Sequence, residues 1–127
     1  MTARYTAVYP VSGENLTALP VKDIGPAVEF YAAALGFTVV SRDDTAAVVR
    51  RDDARLGLVR KADHKPNEVG SCCFAVTDLD AAREELVARG GAEVGVVGTD
   101  EWGGRRYRTF FVREHTNGYC YCFSHPA

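Results

Sequence analysis

Apolar positions along the chain fall into two runs with the same layout. Ile24, Ala27, Val28, Tyr31, Ala34 and Leu35 recur at three- and four-residue spacing and make one apolar stripe of a helix. Asp23 stands before the run as an N-cap, and Pro26 sits in the first turn, where no intrahelical N–H is needed. Gly36 can close the helix in the left-handed conformation. Farther along, Leu79, Ala82, Leu86 and Val87 form a second stripe behind Asp78, and Gly90-Gly91 ends it. Asp23 and Asp78 stand 55 residues apart, as do Gly36 and Gly91. The same register sets Val21 on Val76, Ala27 on Ala82, Glu29 on Glu84 and Val39 on Val94. Two copies of one unit in a short chain define the architecture before any single residue is read, and they place a ligand site between the copies.

Strand-like runs surround each helix. In the first unit, Leu16 to Val21 leads into the helix, and Phe37 to Ser41, Ala46 to Arg51 and Arg55 to Lys61 follow it. Residues 1–12 read as an extended arm, and residues 62–70 as a polar, turn-rich linker. The second unit repeats the order. Ser71 to Thr77 is a strand, the helix follows, and Glu93 to Val97, Arg105 to Arg113 and Tyr119 to Phe123 are strands. Gly98 to Gly104 reads as a loop, and Asn117-Gly118 as a hairpin turn. The fold class expected is α+β, with two βαβββ modules in one domain: module one at about residues 14–61, the linker at 62–70 and module two at 71–124. A curved mixed sheet would surround a cup, with the helices on its outer face.

Composition narrows the function. At 127 residues, with 46% hydrophobic and 25% charged residues, the chain fits one soluble globular domain. A formal charge of −2 gives no field that would draw nucleic acid or an anionic membrane. No run is long and apolar enough to cross a bilayer, and the first residues lack the apolar stretch of a signal peptide, so the cytoplasm is the expected compartment. The four cysteines, Cys72, Cys73, Cys120 and Cys122, have no C-x-x-C spacing and read as buried free thiols in strands. His64, His115 and His125 read as exposed histidines of the linker, a turn and the tail.

Two segments carry a resemblance. Val21-Lys22-Asp23-Ile24, Phe30-Tyr31 and Leu35-Gly36-Phe37 resemble the opening signature of the vicinal oxygen chelate superfamily, which includes glyoxalase I, bleomycin- and fosfomycin-resistance proteins and extradiol dioxygenases. Trp102-Gly103-Gly104-Arg105, Tyr107, Phe110-Phe111-Val112 and Asn117-Gly118 are similar to its closing segment, with His115-Thr116-Asn117-Gly118 in place of the usual Asp-Pro-x-Gly turn. The resemblance implies paired βαβββ modules and a homodimer. In metal-dependent members it also implies a divalent ion held by His, Gln or Glu from the first and last strands of both modules. Those positions fall here on Leu16, Leu58, Ser71 and Cys122. Two leucines offer no lone pair, a serine hydroxyl is a poor ligand, and Cys122, even with Cys73 or Cys120, makes a weak site. No metal and no other cofactor is expected.

The leading expectation is a metal-free protein that binds a small organic molecule in the cup without changing it, similar to the bleomycin-resistance branch. Leu16, Ala18, Leu56, Leu58, Ser71, Cys73, Cys120 and Cys122 would line the cup, Trp102 and Tyr107 would stack on the ligand, and Arg105 would pair with an anionic group. By strand parity Arg106 and Arg108 share the face opposite Arg105. Two alternatives stand beside it. One is a glyoxalase-like lyase or isomerase, or an extradiol dioxygenase, which would need ligands such as Cys122 and Glu114. The other is an interaction module whose cup is filled by its own side chains.

Overall fold

The computed structural model describes residues 3–11, 13–65 and 72–127. Ser71 and most of the linker therefore lie outside the described residues. The elements run β1 (Tyr5–Pro10), β2 (Leu19–Val21), α1 (Ile24–Leu35), β3 (Thr38–Arg42), β4 (Ala46–Arg51), β5 (Ala54–Arg60), β6 (Cys72–Val76), α2 (Leu79–Arg89), β7 (Glu93–Val94), β8 (Gly98–Trp102), β9 (Arg105–Arg113) and β10 (Cys120–Pro126).

They form two mixed sheets with one internal order. The first sheet runs β2-β5-β4-β3, with β2 parallel to β5 and the remaining pairs antiparallel. In the second, β6 lies parallel to β10, β10 antiparallel to β9, and β7 and β8 both pair with β9. Each module thus sets its first strand beside its last, as the repeat requires.

Two segments differ from the sequence reading. The arm at 5–10 is a full strand, antiparallel to β6, and extends the second sheet by one edge. The stretch 98–104, read as a loop, is β8 and a two-residue turn. Gly103 (φ 55) and Gly104 (φ 76) both take positive φ between Trp102 and its partner Arg105, as a tight hairpin needs.

Local chemistry explains the helix ends. Gly36 adopts φ 73 after α1, and Asp78 accepts a bond from the Ala81 N–H at 3.0 Å before α2. Asp23 occupies the N-cap position in extended conformation but makes no capping bond, and its carboxylate faces Arg60 at 3.7 Å. Val87 is exposed, because it follows Leu86 by one residue and so turns away from the buried stripe of Leu79, Ala82 and Leu86.

One core spans both modules. Tyr31, Phe37, Leu56 and Leu58 from the first meet Phe74, Phe110, Tyr121 and Phe123 from the second, and Tyr5 of β1 joins them. The Tyr31 and Tyr121 hydroxyls bond across the module boundary at 2.7 Å. A polar clasp binds the modules beside this core. Arg51 of β4 donates to Glu85 of α2 at 2.7 Å and to the Leu35 carbonyl at 2.9 Å, while its guanidinium lies 4.2 Å from the Tyr5 ring centre. Arg89 donates to the same carboxylate at 2.8 Å. Gly36 leaves room for this, since a Cβ there would sit 2.6 Å from Arg51 Nη1 and 2.7 Å from Arg89 Nη2.

Gly57 fixes how β2 approaches β5. Its N–H donates to the Leu16 carbonyl at 2.9 Å, and a Cβ would meet the Thr17 carbonyl oxygen at 2.1 Å. Because that neighbour is backbone, Gly57→Ala must push the segment before β2 away. The expected loss is about 2–3 kcal/mol of stability, read as a lower urea midpoint at unchanged slope.

Candidate functional site

Alternation along the second sheet separates two faces. Cys72, Phe74 and Val76 of β6, Phe110 and Val112 of β9, and Tyr121 and Phe123 of β10 point into the core. The intervening residues face the other way, onto a surface that neither helix covers: Cys73, then Arg105, Tyr107 and Phe111, then Cys120, Cys122 and Ser124. Direct pairing of Cys122 with Phe111, and of Ser124 with Thr109, holds these side chains side by side.

A groove of about 700 Å³ runs over this face. Its floor carries Cys73 and Ser124, with the Cys73 thiol donating to the Ser124 hydroxyl at 3.4 Å. Trp102 and Tyr107 form one aromatic wall, their ring centres 5.1 Å apart at 46°. Arg105 stands at the same wall, and Tyr9 of β1 faces it from the opposite edge. Trp102 is 45% exposed and Tyr9 54%, a large apolar surface left open to a ligand or partner. The groove is not filled by the protein's own side chains, which the interaction-module alternative requires.

Of the residues singled out from the sequence, the groove gathers Cys73, Trp102, Arg105 and Tyr107. Cys120 and Cys122 share its face by register but do not line the groove; Cys120 is half-buried and Cys122 buried. Leu56 and Leu58 belong to the core beneath α1, each 1% exposed. On β5 it is Arg55, Gly57 and Val59 that face away from the core, one residue out of step with those two leucines. Leu16 and Ala18 are half-buried in the segment before β2, and Leu16 packs against the core. Ser71 lies outside the described residues.

Several groove residues carried no strong sequence signal. Tyr9 belongs to the arm that became β1. Ser124 and His125 lie just past the stretch read as the last strand, which continues to Pro126. His64, read as exposed, is 3% exposed. Its ring stacks on Tyr119, and its Nε2 lies 3.0 Å from the Asn117 carbonyl oxygen, because residues of the linker fold back onto the β9–β10 turn. Parity placed the arginines correctly: Arg105 lines the groove, while Arg108 turns to the helix side and pairs with Asp80 of α2 at 3.0 Å.

The donor chemistry of the groove does not fit a divalent metal centre. Among the described residues no three His, Cys, Asp or Glu side chains come together as a ligand set, and Leu58, at one of the positions the superfamily uses, is locked in the core. Cys73 and Cys122 titrate as a pair. The first proton leaves Cys73, whose thiolate is held by hydrogen bonding to Cys122 and Ser124, and the second is retained on Cys122 by its bond to Cys73 and by burial. Among the described residues neither thiol is hydrogen-bonded to a histidine, and the groove's His125 has Nδ1 at 2.9 Å from the Pro126 carbonyl oxygen. Asp100 at the edge accepts from Thr109 at 2.6 Å. Stacking, a guanidinium for an anionic or carbonyl group, and small polar donors on the floor are the means of recognition this surface offers.

Paired βαβββ modules are the architecture that the resemblance to the vicinal oxygen chelate proteins implies. The family model described as the Glyoxalase/Bleomycin resistance protein/Dioxygenase superfamily matches residues 15–120, and the chain belongs to that superfamily. It includes enzymes as well as proteins that only bind. Among solved structures, the chain is similar to the bleomycin-binding protein of bleomycin-producing Streptomyces verticillus, determined with copper(II)-bleomycin. That match has 30% identity and a TM-score of 0.69, over 86% of this chain and 92% of that one. The bleomycin resistance determinant encoded on the transposon Tn5 shares the fold at 20% identity and a TM-score of 0.74, covering 91% and 98% of the two chains. So does a glyoxalase/bleomycin resistance protein/dioxygenase from Alicyclobacillus acidocaldarius, at 18% identity and a TM-score of 0.69, covering 86% and 87%. No curated protein matches the sequence. No helix among the described residues is long and apolar enough to cross a membrane.

Proposed function

We propose that this protein is a metal-free binding protein of the bleomycin-resistance type, which sequesters a small organic ligand in the groove and leaves its bonds unchanged. The observation that carries this reading is the groove itself. It pairs an aromatic wall, Trp102 and Tyr107, with a single guanidinium, Arg105, and its floor holds one thiol and a hydroxyl, with no metal-ligand set among the described residues. The ligand class this favours has a planar, π-rich part to lie on the aromatic wall and an oxygen-bearing group for Arg105. The copper(II)-bleomycin complex of the Streptomyces verticillus protein supports bleomycin as the first probe.

We further infer a homodimer. The uncovered sheet face exposes Phe111 at 41%, besides Trp102 and Tyr9. A second copy set against this face would bury that surface and deepen the groove. Sedimentation equilibrium should give twice the mass of the 13.8 kDa chain, and a monomer at all concentrations would end this part of the reading.

The binding site is tested by calorimetric titration of bleomycin into wild type and Trp102→Ala. Because Trp102 is half-exposed on a strand end, its loss should leave folding intact and weaken binding about tenfold or more. Equal affinity in the two proteins would place the ligand elsewhere.

A further inference from the structure

On the helix side of the second sheet, across the sheet from the groove, a separate cavity of about 290 Å³ opens between α1 and the β9–β10 turn. Ala27, Phe30 and Tyr31 of α1 form one wall, and Glu114, Tyr119 and Tyr121 form the other. Nothing in the groove's proposed role uses these residues.

The polar groups in this cavity are incompletely used. Glu114 is 7% exposed, and among the described residues its carboxylate accepts only from the Asn117 N–H, at 2.8 and 3.1 Å to its two oxygens. An ionised carboxylate has acceptor sites for about four donors, so most of its capacity is unspent. The Tyr31 and Tyr121 hydroxyls bond to each other at 2.7 Å, which uses one of their two O–H protons. Burial above all, with the nearby Glu114 charge adding to it, keeps the Tyr31, Tyr119 and Tyr121 phenols protonated. Among the described residues the cavity lining thus presents one buried carboxylate with unused acceptor capacity and no buried cation.

The walls suit a positive guest. Phe30 stacks on Tyr121 at 6.1 Å and 22°, and Tyr119 on Tyr121 at 5.7 Å and 19°, so a row of three rings runs from the α1 wall to the wall opposite. The faces of such rings attract an organic cation, and their apolar edges shelter its alkyl groups. At the rim, His115 and Glu93 pair at 2.9 Å, both largely exposed, and Arg113, also exposed, contributes to the lining there. An anion would meet Glu114 with no buried cation among the described residues to offset it, and a neutral apolar guest would add no donor to that carboxylate.

We propose that this cavity binds a compact organic ammonium ion, with Glu114 as the counter-charge and Phe30, Tyr31 and Tyr121 as the cage. The site stands independently of the groove, so its failure would leave the reading of the groove untouched.

The test uses choline and its uncharged carbon isostere, 3,3-dimethylbutan-1-ol, titrated into the full chain and followed by amide NMR shifts and calorimetry. Choline should bind saturably, shift the amides of Phe30, Tyr31 and Asn117, and bind about tenfold or more tightly than the isostere. Glu114→Gln keeps an oxygen for the Asn117 N–H and should lower choline affinity about tenfold. Should that variant fail to fold, Phe30→Leu, at a half-buried helix position, should lower it roughly threefold. Equal affinity for the two probes, shifts centred on the Trp102 indole, or no saturable shift, which would mean a cavity holding water only, would each overturn the proposal.

Discussion

Phe74→Ala should cost about 4 kcal/mol of folding stability, the largest effect expected from any single truncation in this chain. Phe74 is fully buried on β6, at the meeting point of the two modules. Its ring lies 5.7 Å from Tyr5, 5.5 Å from Phe37, 6.0 Å from Tyr121 and 5.2 Å from Phe123. These partners come from the N-terminal strand, the end of α1 and β10, so removing the ring opens a void that no single element can move to fill. Tilted and edge-on ring pairs add to the area term, which places this site above an aliphatic truncation. Urea unfolding with matched slopes checks it, and a loss under about 1.5 kcal/mol would mean that the modules do not share one core.

Arg51→Ala ranks second, at about 3 kcal/mol. Side-chain exposures of 12% for Arg51 and 18% for Glu85 make this a mostly buried pair, so the variant leaves a carboxylate held by Arg89 alone and the Leu35 carbonyl without its donor. Arg51→Met, with comparable apolar bulk, should recover part of the loss, because packing over Tyr5 returns while the charge does not. The pair also sets an acid limit. Hydrogen bonding to Arg51, more than the contact with Arg89, holds Glu85 below its ordinary value of 4.5 in the folded protein. Its stabilising contribution is therefore complete above pH 4.5 and is lost as the pH falls through the depressed folded value. Glu85→Gln should lower stability at pH 7 and flatten the decline on the acid side.

The repeat was legible because each boundary in it is set locally. Asp78 caps α2 through its own third neighbour, Gly36 and Gly90 supply positive φ, and the helix stripes bury as their spacing requires except at Val87. Features that depend on partners distant in sequence were harder to read. β1 is a strand because β6 offers it an edge, and His64 is buried because Asn117, 53 residues away, accepts its ring. On β5 alternation sets Ala54, Leu56 and Leu58 on one face and Arg55, Gly57 and Val59 on the other, but it does not say whether the apolar face meets the core or a ligand. The fold decides it, by burying Leu56 and Leu58 in the shared core while the Thr17 backbone presses against Gly57. Gly103-Gly104 held the signal for the β8–β9 hairpin, and the reading of 98–104 as a loop passed over it. In the groove the opposite holds. Trp102, Arg105 and Tyr107 come from one hairpin, close in sequence, and were found together, whereas Tyr9 arrives from the far end of the chain.

The central claim, capture without chemistry and without a resident metal, meets its most direct test in one titration. Trp102 is the single tryptophan, so indole emission reports the groove alone. Protein treated with a strong chelator and shown to be free of transition metals is titrated with the ligand used above. The bound ligand is then released by denaturation and weighed by mass spectrometry. The account predicts saturable change in emission and recovery of the ligand at its original mass. One transition-metal ion per chain in the protein before chelation, or a ligand recovered with altered mass, would contradict it.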